Sequence, residues 1–185
     1  MKIFITGGTG FIGSNFINTA IKNGHDIIAI KRHASSPRVR IVGNPIWIEG
    51  DLDGDFRTHL NKCDVLVHMA AYGVIDGADN FDDCLYWNVI ATYKLCKQAY
   101  ESGIKKFLII GSCFEYGMSG DRYDFIPATA PLEPVTSYAA SKAAAGVLLQ
   151  GWAAEREVHM QVMRIFHVYG EGESETRLWP SLHKA

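Results

Sequence analysis

Short, wholly apolar runs alternate along this chain with longer stretches whose apolar residues recur at helical spacing. The runs are "KIFIT" (2–6), "DIIAI" (26–30), "PIWIEG" (45–50), "DVLVHMA" (64–70), "KFLIIGS" (106–112) and "MQVMRIF" (160–166). They lack the polar alternation of a half-exposed strand, so they read as strands buried on both faces. Helical periodicity covers Phe11–Lys22, Asn80–Ser102 and a stretch from Tyr138 to about Glu155. Strands separated by helices predict an α/β fold, a doubly wound parallel sheet of the Rossmann kind. Its right-handed crossovers would put ligands at the carboxyl ends of the strands.

Composition narrows the function classes. A chain of 185 residues with 48% hydrophobic content holds enough apolar surface for a full core. A net charge of −2 argues against general binding to nucleic acid or to a membrane surface. Cys63, Cys84, Cys96 and Cys113 form no C-x-x-C pair, and the histidines show no ligand spacing. No metal, reduced thiols and a cytoplasmic setting are therefore expected. The opening "MKIFIT" meets a glycine cluster at once, too early for a signal peptide, and no apolar run approaches the ~20 residues of a membrane span.

The chemistry gathers at strand ends. "TGGTGFIG" (6–13) spaces Gly7, Gly10 and Gly13 as G-x-x-G-x-x-G between a strand and a helix. Such a turn lets a pyrophosphate approach the backbone at the positive end of the helix, with Phe11 and Ile12 as further contacts. The second strand ends in Lys31 and Arg32, with Ser35 and Ser36 beyond, where an NAD-binding chain usually carries an acid. Cations there favour the 2′-phosphate of NADP(H) over NAD(H). The alternative is a solvated basic loop extended by Arg38 and Arg40. In "EGDL" (49–52), Asp51 suits either an adenine amino group, with Leu52 beside it, or a helix N-cap. "HMAA" (68–71) closes the fourth strand with small residues, Ala70 and Ala71, where a flat cofactor passes, and His68 reads as structural. In "TSYAASKAAAG" (136–146), Tyr138 and Lys142 stand one helical turn apart among small side chains.

Taken in order and spacing, these motifs resemble those of extended short-chain dehydrogenase/reductases of the NAD-dependent epimerase/dehydratase family, from Lys2 to about Gly172. Asn88 in "NVIATYKLC" matches the family's asparagine after strand four, and "RIFHVYGEG" (164–172) its sixth-strand motif, with Phe166 on the cofactor side. The resemblance implies that Ser112 hydrogen-bonds the substrate oxygen and that Tyr138 is the general acid/base. Lys142 would hold the nicotinamide ribose and favour the phenolate. A free phenol titrates near 10, so work near pH 7 asks for ~4 kcal/mol of differential stabilisation. Dehydratases of the family carry an Asp–Glu pair after the catalytic threonine. Here Cys113 and Phe114 stand in those places, and Glu115 reads as structural or substrate-side.

"GSCFEYG" (111–117) looks like the corresponding stretch of nucleotide-sugar 4-ketoreductases of the CDP-abequose and CDP-paratose synthase type. The expected reaction is therefore NADPH-dependent reduction of a 4-keto-6-deoxy nucleotide sugar. A nucleotide-sugar epimerase is the nearest rival, and a non-catalytic NADP-binding sensor the rival of another class. His167, where the family usually has asparagine, and Arg177 are the remaining substrate-side candidates. A dinucleotide-binding domain over 1–169 and the start of a substrate domain at 170–185, largely absent, are expected. So is a homodimer paired through the two long helices.

Overall fold

The computed structural model describes residues 1–74 and 80–182. Its elements are β1 (Lys2–Thr6), α1 (Phe11–Lys22), β2 (Asp26–Lys31), β3 (Ile46–Glu49), α2 (Arg57–Leu60) and β4 (Val65–His68). There follow α3 (Phe81–Asp83), a π-helical segment (Cys84–Ala91), α4 (Thr92–Glu101), β5 (Lys106–Ser112), α5 (Ser137–Glu155), β6 (His159–Ile165) and α6 (Leu178–Leu182). The six strands form one parallel sheet in the order β3-β2-β1-β4-β5-β6. The order reverses between β1 and β4, which is where such a sheet opens a crevice for ligand.

The expected architecture is present, with local corrections. The stretch expected as one helix over 80–102 is wound as α, then π, then α. Asn80 caps it, its side chain accepting from the Asp83 amide at 2.8 Å, and Asp82 and Asp83 complement the positive end. Thr136 caps α5 in the same way, accepting from Ala139 N–H at 3.1 Å. The short helices α2 and α6 carry too few periodic residues to be foreseen. No helix among the described residues is long and apolar enough to cross a membrane.

The sheet divides the core. On one face Phe4, Ile28, Leu66, Phe107 and Ile109 pack beneath Leu60, Leu95, Leu149 and Trp152. The Trp152 ring meets Tyr93, Tyr100 and Phe107 edge-on at centroid distances of 6.4, 5.6 and 5.8 Å. On the other face α1 sets Ile17 and Ala20 against Ile3, Ile5, Ile27, Ala29 and Val67. Beside α1 runs a groove of about 780 Å³ lined by Phe16, Val65, Leu108 and Gln161. It lies away from the carboxyl ends of the strands and takes no part in the site.

Candidate active site

The glycine turn is shaped by backbone against backbone. Gly7 has φ +71°, and a Cβ there would lie 2.6 Å from the Ala70 nitrogen. A Cβ on Gly13 would run into the Gly7 carbonyl. The first and third glycines thus bring β1, β4 and the start of α1 together. No side chain caps α1 and no acid stands in its first turn. The amides of Phe11, Ile12 and Gly13 are left as the donors of a free helix N-terminus. These features fit the diphosphate of a dinucleotide, whose oxygens these amides would hold.

Behind the turn, a directed chain of hydrogen bonds fixes His68. Ala70 N–H donates to Thr6 Oγ1 at 3.2 Å, and Thr6 Oγ1 lies 2.8 Å from His68 Nδ1. His68 Nε2 lies 3.0 Å from Thr92 Oγ1, which itself donates to the Trp87 carbonyl at 3.1 Å. Because the Thr92 proton is committed to Trp87, it accepts from Nε2–H, and Nδ1 accepts from Thr6. Burial, with the Lys142 charge adding to it, pushes His68 down to about 3, so the ring is neutral. His68 is structural, as its residue type and place suggested. Asn88, in the π segment, works similarly. It accepts from Tyr72 N–H at 2.8 Å and donates to the Tyr72 carbonyl and to Ser141 Oγ at 3.0 and 2.9 Å. Its amide is engaged within the protein, tying the loop after β4 to α5.

Ser112 ends β5 and Tyr138 opens α5, with Ser112 close enough to lower the phenol. Lys142 follows one turn later and is buried. Burial drives Lys142 down to about 8, opposed by the charge of Glu115. The Tyr138 phenol is raised, chiefly by burial, against the Ser112 hydrogen bond and the Arg177 charge, which lower it. The resemblance implies a phenol lowered with the nicotinamide bound; in the protein alone it is raised. Removing a phenolate from water costs more here than its neighbours return.

Glu115, left open between two readings, is structural. It is fully buried, accepts from Ser112 N–H at 2.8 Å and pairs with Arg164 Nε at 2.6 Å. Ser112 and Glu115 form a reciprocal capping box at the turn after β5. Gly111 leaves room for it, since a Cβ there would strike the Glu115 carboxylate, and the sheet register sets Arg164 opposite Gly111. Sequence reasoning passed over Arg164. The S-x-x-E spacing of Ser112 and Glu115 was the signal available. Cys113 is half-buried and its thiol is raised by burial, while Phe114 is exposed.

At the other end of the crevice, Lys31 Nζ lies 3.4 Å from Glu49 Oε1, so the lysine expected to stand free is already paired. Arg32 is exposed. Asp51 is exposed and caps no helix: α2 begins after Phe56, without a side-chain cap. That removes the N-cap alternative for Asp51. Leu52 packs against the larger core. Tyr86 donates to Asp53 at 2.8 Å, fastening this loop to the π segment, a tie no sequence motif announced. Ala70 and Ala71 border the crevice at the end of β4. Phe166 lies 6.4 Å from the Tyr116 ring, and Arg177 is near enough for its charge to act on Tyr138. His167 is exposed just beyond β6.

A dinucleotide turn after β1, with Ser112 at the end of β5 and Tyr138 and Lys142 on α5, is the arrangement that the short-chain dehydrogenase/reductase resemblance implies. Residues 3–185 match the NAD dependent epimerase/dehydratase family, and the chain belongs to it. It is 29% identical to mouse dTDP-D-glucose 4,6-dehydratase, over 97% of this chain and 54% of that protein. It is 34% identical to a putative dihydroflavonol 4-reductase of Synechocystis, over 64% of this chain and 34% of that one. Among solved structures, the NAD dependent NDP-hexosamine 5,6-dehydratase TunA, involved in tunicamycin biosynthesis, superposes with a TM-score of 0.85 at 25% identity. That match covers 98% of this chain and 60% of TunA. The chain spans about half the length of the curated relatives it matches over nearly all of its own length.

Proposed function

We propose that the chain is the nucleotide-binding half of an NADPH-dependent reductase acting on a 4-keto-6-deoxy nucleotide sugar. When bound, the reduced nicotinamide supplies the hydride. Ser112 holds the carbonyl oxygen, and Tyr138 delivers the proton to it. Lys142 holds the nicotinamide ribose and favours the phenolate left on Tyr138. The observation that carries the reading is the state of Glu115. It is the acid nearest the Ser112–Tyr138 pair, and both its oxygens are engaged, by Ser112 N–H and by Arg164. Cys113 and Phe114 supply neither a carboxylate nor a base in the places where the family's dehydratases carry them. Proton transfer from Tyr138 fits this arrangement, and elimination of water does not.

Arg32 supports the NADP(H) preference, and His167 and Arg177 face the substrate side. The boundary between the two domains falls after Tyr169, and the setting is cytoplasmic. Exposed Phe81, Leu85 and Ile90 beside exposed Val147 and Leu148 on α5 support an isologous homodimer. Single-turnover oxidation of NADPH with a panel of 4-keto nucleotide sugars tests the reaction. Slow turnover by this chain and fast turnover by a chain of the relatives' full length are expected, because misplacing the sugar by 1 Å costs about 10²-fold. Release of a 4-keto product from an unreduced sugar, with no net change in cofactor, would overturn it in favour of a dehydratase.

A further inference from the structure

We propose that Glu49 is the residue that sets discrimination at the 2′-position of the dinucleotide. It engages Lys31 and His33 and so limits the preference for a 2′-phosphate that the basic loop gives. The inference rests on dinucleotide binding at the glycine turn, and it adds a group that the end of β2 lacks. The parallel register sets Lys31 opposite Glu49, so base and acid emerge side by side at the carboxyl ends of β2 and β3. The ladder runs one residue further, Gly50 N–H donating to the Lys31 carbonyl at 3.1 Å, which fixes both backbones.

Both oxygens of the carboxylate are used. Oε1 lies 3.4 Å from Lys31 Nζ, and Oε2 lies 3.2 Å from His33 Nδ1. The Glu49 side chain is about half exposed, at 54%. The hydrogen bond from His33, and after it the contact with Lys31, hold its carboxyl below the ordinary range. Arg32, like Arg38 and Arg40 further along the loop, pairs with no acid among the described residues. In most chains of this fold the acid that greets the ribose ends the second strand itself. Here Lys31 holds that place, and the acid reaches it from the next strand. A 2′-hydroxyl donates to such a carboxylate. A 2′-phosphate is repelled by it and must compete with it for Lys31.

Calorimetric titration of the 185-residue chain at low ionic strength tests this, with 2′,5′-ADP and 5′-AMP as probes, since they differ only at the group in question. Glu49→Gln is expected to raise the ratio of 2′,5′-ADP to 5′-AMP affinity about tenfold. An unchanged or lower ratio overturns the proposal. Lys31→Met is the second test and does not depend on the glutamine variant folding. In the otherwise unaltered chain it is expected to cost 2′,5′-ADP less than about threefold, because Glu49 already holds the lysine. A tenfold loss overturns the proposal. The two readings fail separately. A wild-type preference for 5′-AMP that Glu49→Gln reverses removes the NADPH preference and leaves the role of Glu49 standing. A strong preference for 2′,5′-ADP that Glu49→Gln leaves unmoved does the opposite.

Discussion

Two lysines stand at the carboxyl ends of this sheet, each with a glutamate nearby, and they behave as different chemical groups. Lys31, at the adenosine end, is part exposed and pairs directly with half-exposed Glu49. Lys142, at the nicotinamide end, is buried, and burial brings it down to about 8. Its nearby acid, Glu115, is bound to Arg164 at 2.6 Å and acts on the lysine only through its charge. Burial separates the two ends. At the exposed end, water and salt screen a pair that ligands can rearrange. At the buried end Glu115 is held by a fixed partner, Arg164, and a change there is felt by Lys142 through its charge.

The largest expected effect follows from removing a charge at each end. Glu115→Gln leaves Arg164 beside a neutral amide within a part-buried site, and breaking such a pair costs about 3 kcal/mol of stability. Urea unfolding measures it. Glu49→Gln is expected to leave the unfolding midpoint where it was, because its partners remain in water. Equal losses from the two variants would show that the buried end is no more tightly coupled than the exposed one.

A smaller effect concerns catalysis and separates two residues of the same helix. Tyr138→Phe is expected to lower turnover of the active enzyme by about 10²-fold or more while leaving NADPH affinity nearly unchanged. Lys142→Met is expected to damage both, since it removes the ribose contact and the charge together. Steady-state rates and fluorescence titration of NADPH check the pair. If the phenylalanine variant keeps most of its activity, the proton comes from another group.

The two ends also differ in how far the sequence disclosed them. Wholly apolar strands and the glycine spacing announced the sheet, the turn and the crevice, because these depend on periodicity and on backbone space. Ser112, Tyr138 and Lys142 were legible as a motif, and the structure brings them to one corner. Their electrostatics were not legible. The upward shift of Tyr138 comes from desolvation, which depends on everything packed around it. The Lys31–Glu49 pair was hidden for another reason. The two residues lie on different strands, and only the register that sets Ile28 against Ile46 brings Lys31 beside Glu49. The π segment was read as plain helix, since its apolar spacing over Cys84–Ala91 is compatible with either winding.

The last effect is a slope, and it belongs to the buried end alone. His68 is held at about 3 in the folded chain, against about 6.5 when exposed to water. Between those values the unfolded chain binds a proton that the folded chain refuses. Stability therefore rises with pH across that window and falls as the pH drops from 6.5 toward 3, by up to about 1.4 kcal/mol per pH unit. Protonation would also break the directed chain, because Nδ1 would have to donate to Thr6 Oγ1 in place of accepting from it. Denaturant midpoints taken between pH 4 and pH 7 measure the slope. His68→Gln keeps a donor and an acceptor between Thr6 and Thr92 but carries no titrating group, and it is expected to flatten that slope relative to the parent chain. An equally steep acid limb in the glutamine variant would place the proton uptake elsewhere, and His68 would then hold the turn without sensing pH.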